Sequence, residues 1–261
     1  MLGSETWIVL GAGAISATVA AAIAWLIRKR ELEPEDVTIG FLGPSLAAMY
    51  LLVLALALAT EWQTIGSAQQ AAGNEAVAVR QLYWAATGLP PAAASRLRGQ
   101  VRDYATTVVD HDWPQMRHAT LDDRSEQQLS VMTTSLLRLN PATSAAATAQ
   151  QYALAQTSAI ATARAQREGD AESELPAGLL AAVIATSAIM CVFPFAGGIK
   201  SARISITMAS VQAALVTIGV VVVFQLNNPF TGPLATGPDS IASVASQIGA
   251  SQIGASPTGA G

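Results

Sequence analysis

The sequence predicts an all-α membrane protein with four transmembrane helices and a helical-bundle domain inserted between the second and third spans. Of its 261 residues, 51% are hydrophobic and only 12% are charged, roughly half the charged share of an ordinary soluble domain. Residues 7–27, 39–60, 175–196 and 204–226 contain no Asp, Glu, Lys, Arg or His, and each approaches the roughly 20 residues that cross about 30 Å of hydrocarbon as a helix. Nearly all the polar chemistry lies between the two pairs of runs, in residues 61–174, where no segment alternates as a strand does.

The first span reads as an uncleaved anchor, because its leader carries Glu5 and no base while Arg28, Lys29 and Arg30 follow it. Its small residues Ala12, Ser16, Ala20 and Ala24 recur every four positions and suit close helix packing, although an Ala-rich chain also yields such rows by chance. Lys and Arg in short loops set orientation. The loop after span 1 has three bases and the loop between spans 3 and 4 has Lys200 and Arg203, against none in the leader or the tail. Both short loops are therefore expected in the cytoplasm, with the termini and the 61–174 block outside. The lone cysteine, Cys191, allows no disulfide within one chain.

Span 2 holds Pro44 near its start and continues past Trp62 as one helix. Leu58, Ile65, Ala72, Val79 and Ala86 recur every seven residues, with Trp62, Ala76 and Tyr83 offset by four. Gly88, Pro90 and Pro91 end it, and Pro91 suits the first turn of the next helix. There Leu97, Val101, Tyr104 and Val108 share a face, with Arg98 and Arg102 off it as a solvated flank. That helix is expected to stop near Asp110 to Pro114. A third helix, 124–139, presents Leu129, Met132, Leu136 and Leu139. Asn140 and Pro141 are expected to cap a fourth that runs to about Arg167, with Ala145, Ala149, Tyr152, Gln156, Ala159 and Ala163 on its packing face. An acidic linker, 168–174, leads back to the membrane. The tail, 233–261, is rich in Gly, Ser and Ala, repeats ASQIG and is expected to be disordered.

The stretches NEAVAVRQLYWAATGLP from Asn74 and LRGQVRDYATTVVDHDWPQM from Leu97, with the NPFTGP turn after span 4, resemble the bestrophin-like domain family of bacterial membrane proteins. The residues that carry the resemblance most specifically are Glu75, Leu82, Tyr83, Tyr104, Trp113, Pro114, Pro229, Phe230 and Gly232. Asn228 stands where such proteins often have an acidic residue. The family name implies kinship to anion channels, while the domain itself carries no established activity.

Candidate sites are sparse. Glu61 and Glu75 bracket the outer end of span 2, either as solvent-facing stalk residues or as a charged vestibule in a ring of subunits. Span 4 is unusually polar, with Ser210, Gln212 and Gln225 as candidates for helix packing or pore lining. Pro229 and Phe230 are expected to end that helix and anchor it at the lipid interface. His111 and His118 lie among Asp110, Asp112, Asp122 and Asp123, but at a spacing that fits no metal motif, and the 111–124 turn is the expected recognition surface. Nothing in the sequence offers a catalytic triad, a phosphate loop, a cofactor fingerprint or a nucleic-acid patch. Two readings remain: a non-enzymatic envelope sensor or scaffold, and a homo-oligomeric ion channel, both embedded in the lipid bilayer.

Overall fold

The computed structural model describes residues 36–118, 123–173, 175–196, 202–231 and 235–253. Within them the chain is helical, with no strand. The first span, the base-rich part of the loop after it, the loop between spans 3 and 4 and Gly232 lie outside the described residues. Helix α1, Asp36–Ala85, is a single element of 50 residues. A tight turn at Ala86–Gly88 leads to α2, Pro91–Thr107, which opens on Pro91 as expected. Helices α3 (Trp113–Met116), α4 (Asp123–Leu137), α5 (Ser144–Glu172), α6 (Ala177–Ala196), α7 (Ala202–Leu226) and α8 (Asp239–Ile253) follow.

Among the described residues, two helical stretches, Leu42–Gly88 and Ser144–Phe193, are long and apolar enough to cross a membrane, and Val211–Leu226 is a shorter apolar helix. The expected second and third spans contribute their charge-free residues 42–60 and 175–193 to these two stretches.

The chain forms two compact units. Among the described residues, one takes in 36–63 together with 175–196 and 202–227. In it Ala57, Leu175, Val183 and Val223 pack together, and the Leu175 backbone N–H donates to Asn227 Oδ1 at 3.2 Å. Close approach there depends on missing side chains. A Cβ on Gly219 would lie 2.6 Å from the Tyr50 hydroxyl, and one on Gly43 would lie 3.0 Å from the Phe193 ring.

The second unit comprises, among the described residues, 64–118, 123–173, 228–231 and 235–253. Its core is built from the faces of α1, α2 and α4. Ile65, Ala72, Val79, Tyr83, Leu97, Val101, Tyr104, Val108, Leu129, Met132 and Leu136 are all buried. Four local expectations need correction. Helical structure runs past the expected stop at Asp110 to Pro114, reaching Met116 through a wide turn at Val108–Asp112, in which the Trp113 N–H reaches Val108 O. Pro114 has no N–H and its ring crowds the preceding turn, and the extra residue in a π-type turn relieves that clash. The cap of α5 is Thr143, whose hydroxyl accepts from the Ala146 N–H at 3.2 Å, so Asn140 and Pro141 lie in the connection. That helix runs on through the acidic stretch to Glu172. Its buried face is Ala146, Ala153, Thr157, Ile160, Ala163, Arg164, Arg167 and Ala171, leaving Tyr152 exposed. Two arginines on the core face are what an apolar pattern cannot reveal.

Residues 239–253 of the expected disordered tail form α8 instead. Ile241, Val244 and Ile248, spaced three and four apart, put three large apolar groups on one side, and all are buried in the core shared with α2. The hydrophobic gain from burying two isoleucines and a valine, about 1.5–3 kcal/mol each, outweighs the low complexity of the residues between them.

Candidate functional site

A cluster of opposite charges lies inside the second unit. Glu75 comes from α1, Asp112 from the wide turn, and Arg164 and Arg167 from one face of α5, three residues apart. Glu75, Asp112 and Arg167 have no exposure at all, and Arg164 has 6%. Arg167 Nε stands 2.6 Å from Glu75 Oε2, and its Nη2 is 3.9 Å from Asp112 Oδ2. Arg164 Nη1 pairs with Asp112 Oδ2 and also contacts Ser125 Oγ. The Ser125 hydroxyl sits 2.9 Å from both Asp112 oxygens, and the Tyr104 hydroxyl donates to Glu75 Oε1 at 2.6 Å. Two carboxylates face two guanidiniums, so the cluster is neutral as a whole.

Burial pushes the Glu75 carboxyl above the ordinary carboxylate range, while the Arg167 guanidinium and the Tyr104 hydroxyl pull it back. Burial, reinforced by the Glu75 charge, pushes Tyr104 well above the usual phenol range and keeps it a donor. A buried ion pair gains little over a well-packed apolar replacement, but loss of one partner leaves a charge that nothing nearby compensates. The cluster therefore fixes how α1, α5 and the wide turn meet.

Trp113 connects the cluster to the segment after α7. The Arg167 guanidinium lies 4.8 Å from the centre of its ring. Phe230 meets the same indole edge to face, 6.1 Å between centroids, and Trp113 Nε1 donates to Thr236 O at 3.0 Å. Asn228 Oδ1 accepts from the Phe230 N–H at 2.8 Å, an Asx turn that sets the backbone before Phe230.

Several sequence expectations change here. Glu61 and Glu75 are both buried, not solvent-facing, because the seam of α1 carries them inward. Phe230 is 2% exposed in the bundle core, and Pro229 is buried beside it, so neither stands at a lipid interface. Tyr83, Tyr104 and Trp113 are buried, and Pro114 is exposed. Of the 111–124 turn, Asp112, Trp113 and Met116 belong to the core. His111 and His118 remain at the surface, and among the described residues no group of His, Cys, Asp and Glu is arranged to hold a metal. Gln212 Nε2 donates to Met190 O at 2.7 Å, tying α7 to α6. Gln225 is exposed, and the Ser210 side chain lies outside what is described. Arg164 and Arg167 escaped sequence reasoning altogether. Their only signal was an i, i+3 pair in register with Ala153, Ile160 and Ala171.

The fold is similar to that of a bacterial bestrophin homologue from Klebsiella pneumoniae. One variant crystal structure superposes with a TM-score of 0.65 at 12% identity, covering 94% of this chain and 99% of that one. A second variant gives 0.64 at 12% identity, with 94% and 98% covered. A further crystal structure, described only as a membrane protein, gives 0.62 at 11% identity over 95% and 98%. No curated protein matches the chain significantly. The family model of the bestrophin-like domain matches residues 7–241, taking in Glu75, Asp112, Arg164, Arg167 and the Phe230 turn together, and the chain belongs to the bestrophin-like domain family.

Proposed function

We propose that this chain is the protomer of a homo-oligomeric, bestrophin-like ion channel in the bacterial plasma membrane, crossing it four times. The observation that carries the reading is the fold, which is similar to that of a bacterial bestrophin homologue over 94% of this chain. A face of α1 supports the oligomer. Gly66, Gln70, Gly73, Val77, Arg80 and Trp84 follow one another at four- and three-residue spacing on the side turned away from the core, with Trp84 58% and Val77 42% exposed. Among the described residues a Cβ at Gly66 or Gly73 would meet nothing within 4 Å, so the stripe offers room for a helix of another copy at short range. A four-span protomer with no charge inside its spans needs several copies to surround a pore.

Purified protein reconstituted in planar bilayers should conduct, and silence at verified insertion would defeat the proposal. The second reading, a non-enzymatic envelope sensor or scaffold, draws support from the charge cluster. Charges that close on one another hold a shape and leave nothing for an ion or a substrate. Silent bilayers would favour it. The side of the membrane rests on the short-loop bases alone, which put the second unit outside. Impermeant thiol labelling of Tyr152→Cys in intact cells, in a Cys191→Ser background, reads this directly, and protection until lysis would reverse the orientation.

A further inference from the structure

Outside the neutral cluster, α2 carries a second group of charges, some of whose guanidinium N–H groups find no hydrogen-bond partner among the described residues. Its 17 residues include Arg96, Arg98 and Arg102 against the single acid Asp103. Arg98 and Arg102 were expected on a solvated flank, yet both are half-buried. Arg98 is held in place, donating from Nη2 to the Thr87 hydroxyl at 3.0 Å with its guanidinium 5.5 Å from the centre of the Tyr83 ring. Its Nε is buried without a hydrogen-bond partner among the described residues. Arg102 goes further: both Nε and Nη2 are buried and have no hydrogen-bond partner among the described residues.

A buried N–H without an acceptor is costly and rare in native proteins. Like charges one helical turn apart also repel each other. Water would satisfy the N–H groups but would bring no negative charge to the two guanidiniums. An anion with several acceptor oxygens resolves both deficits, and the planar fork of a guanidinium matches a tetrahedral oxyanion better than it matches a spherical ion. We propose that Arg98 and Arg102 form a binding site for a phosphate or phosphomonoester anion, with Thr87 and Tyr83 positioning the first guanidinium and Arg102 supplying the principal contacts. The ligand is a free phosphate species or the headgroup of an anionic phosphomonoester lipid, two sources of the same chemistry.

The test uses the full chain in detergent, followed by thermal unfolding. Inorganic phosphate should raise Tm saturably, whereas chloride at matched ionic strength should not. Arg102→Gln should abolish the rise and Arg102→Lys should shift its midpoint to higher phosphate, while Arg96→Gln, at an exposed position, should leave it unchanged. Where Arg102→Gln fails to fold, the lysine variant decides the matter, since it keeps the charge and removes the fork. A short-chain phosphatidate added in parallel, with phosphatidylcholine as its control, separates the sources. A response to both inorganic phosphate and phosphatidate points to a free anion, and a response to phosphatidate alone points to a lipid headgroup. The proposal is overturned if neither ligand moves Tm, if chloride moves it equally, or if the foldable Arg102 variants respond like the wild type.

Discussion

Replacing Arg167 by Met keeps most of the side-chain volume and removes the guanidinium that faces Glu75 at 2.6 Å. Glu75 would then be a fully buried carboxylate with Tyr104 as its one remaining hydrogen-bond donor among the described residues. Breaking a buried pair from one side costs about 3–5 kcal/mol, and loss of the cation from the Trp113 ring adds about 0.5–2 kcal/mol. For a domain of this size, in which 1 kcal/mol moves Tm by about 2–4 °C, the single variant should melt roughly 10 °C or more below wild type. The double variant Glu75→Gln/Arg167→Met carries no unpaired charge and should recover half or more of that loss. The pH dependence has a definite sign. A carboxyl whose folded pKa is raised binds more protons folded than unfolded, so its favourable contribution is complete below the unfolded pKa and is lost as pH rises through the folded value. Removing Arg167 deletes a lowering influence on Glu75, so the deficit of the single variant should shrink as the pH is lowered toward 5. Circular dichroism melts of the three proteins across pH 5–8 measure all of this. A single variant within about 2 °C of wild type, or a double variant no better than the single, would refute the idea that the cluster is energetically coupled.

Other substitutions test other contacts. Gly88→Ala would place a methyl group 2.6 Å from Ala149 Cβ, and should cost about 1–3 kcal/mol, read as a lowered melting temperature. Gly73→Ala meets open space and removes a helix-interior glycine, so it should leave the protomer as stable or stabilise it by up to about 1 kcal/mol. If α1 packs against other copies through this face, the same substitution weakens the oligomer, which size-exclusion chromatography with light scattering measures. Trp113→Phe deletes the donor to Thr236 O. Hydrogen exchange in residues 239–253 should then accelerate by an order of magnitude or so, corresponding to about 1–2 kcal/mol. Gln212→Leu loses the 2.7 Å bond to Met190 O and should lower the melting temperature by a few degrees, consistent with about 0.6–2 kcal/mol for a hydrogen bond between membrane helices. An unchanged melt would show that the bond contributes nothing.

What could be read from the chain alone was whatever depends on periodicity and on the length of charge-free runs. The faces of α1, α2 and α4 were legible because Val79, Tyr83, Leu97, Val101, Tyr104, Leu129, Met132 and Leu136 recur at helical spacing, and the cost of exposing them to water acts whatever they pack against. The motif residues Glu75, Tyr104, Trp113 and Phe230 were visible as a resemblance, without any indication that they meet. Tertiary structure decided that they do. It brought Arg164 and Arg167 to the inside, because a buried charge becomes tolerable only when an opposite charge from a distant segment meets it, and no local pattern encodes that pairing. It also ordered α8, whose three large apolar residues gain nothing until the α2 surface is there to receive them.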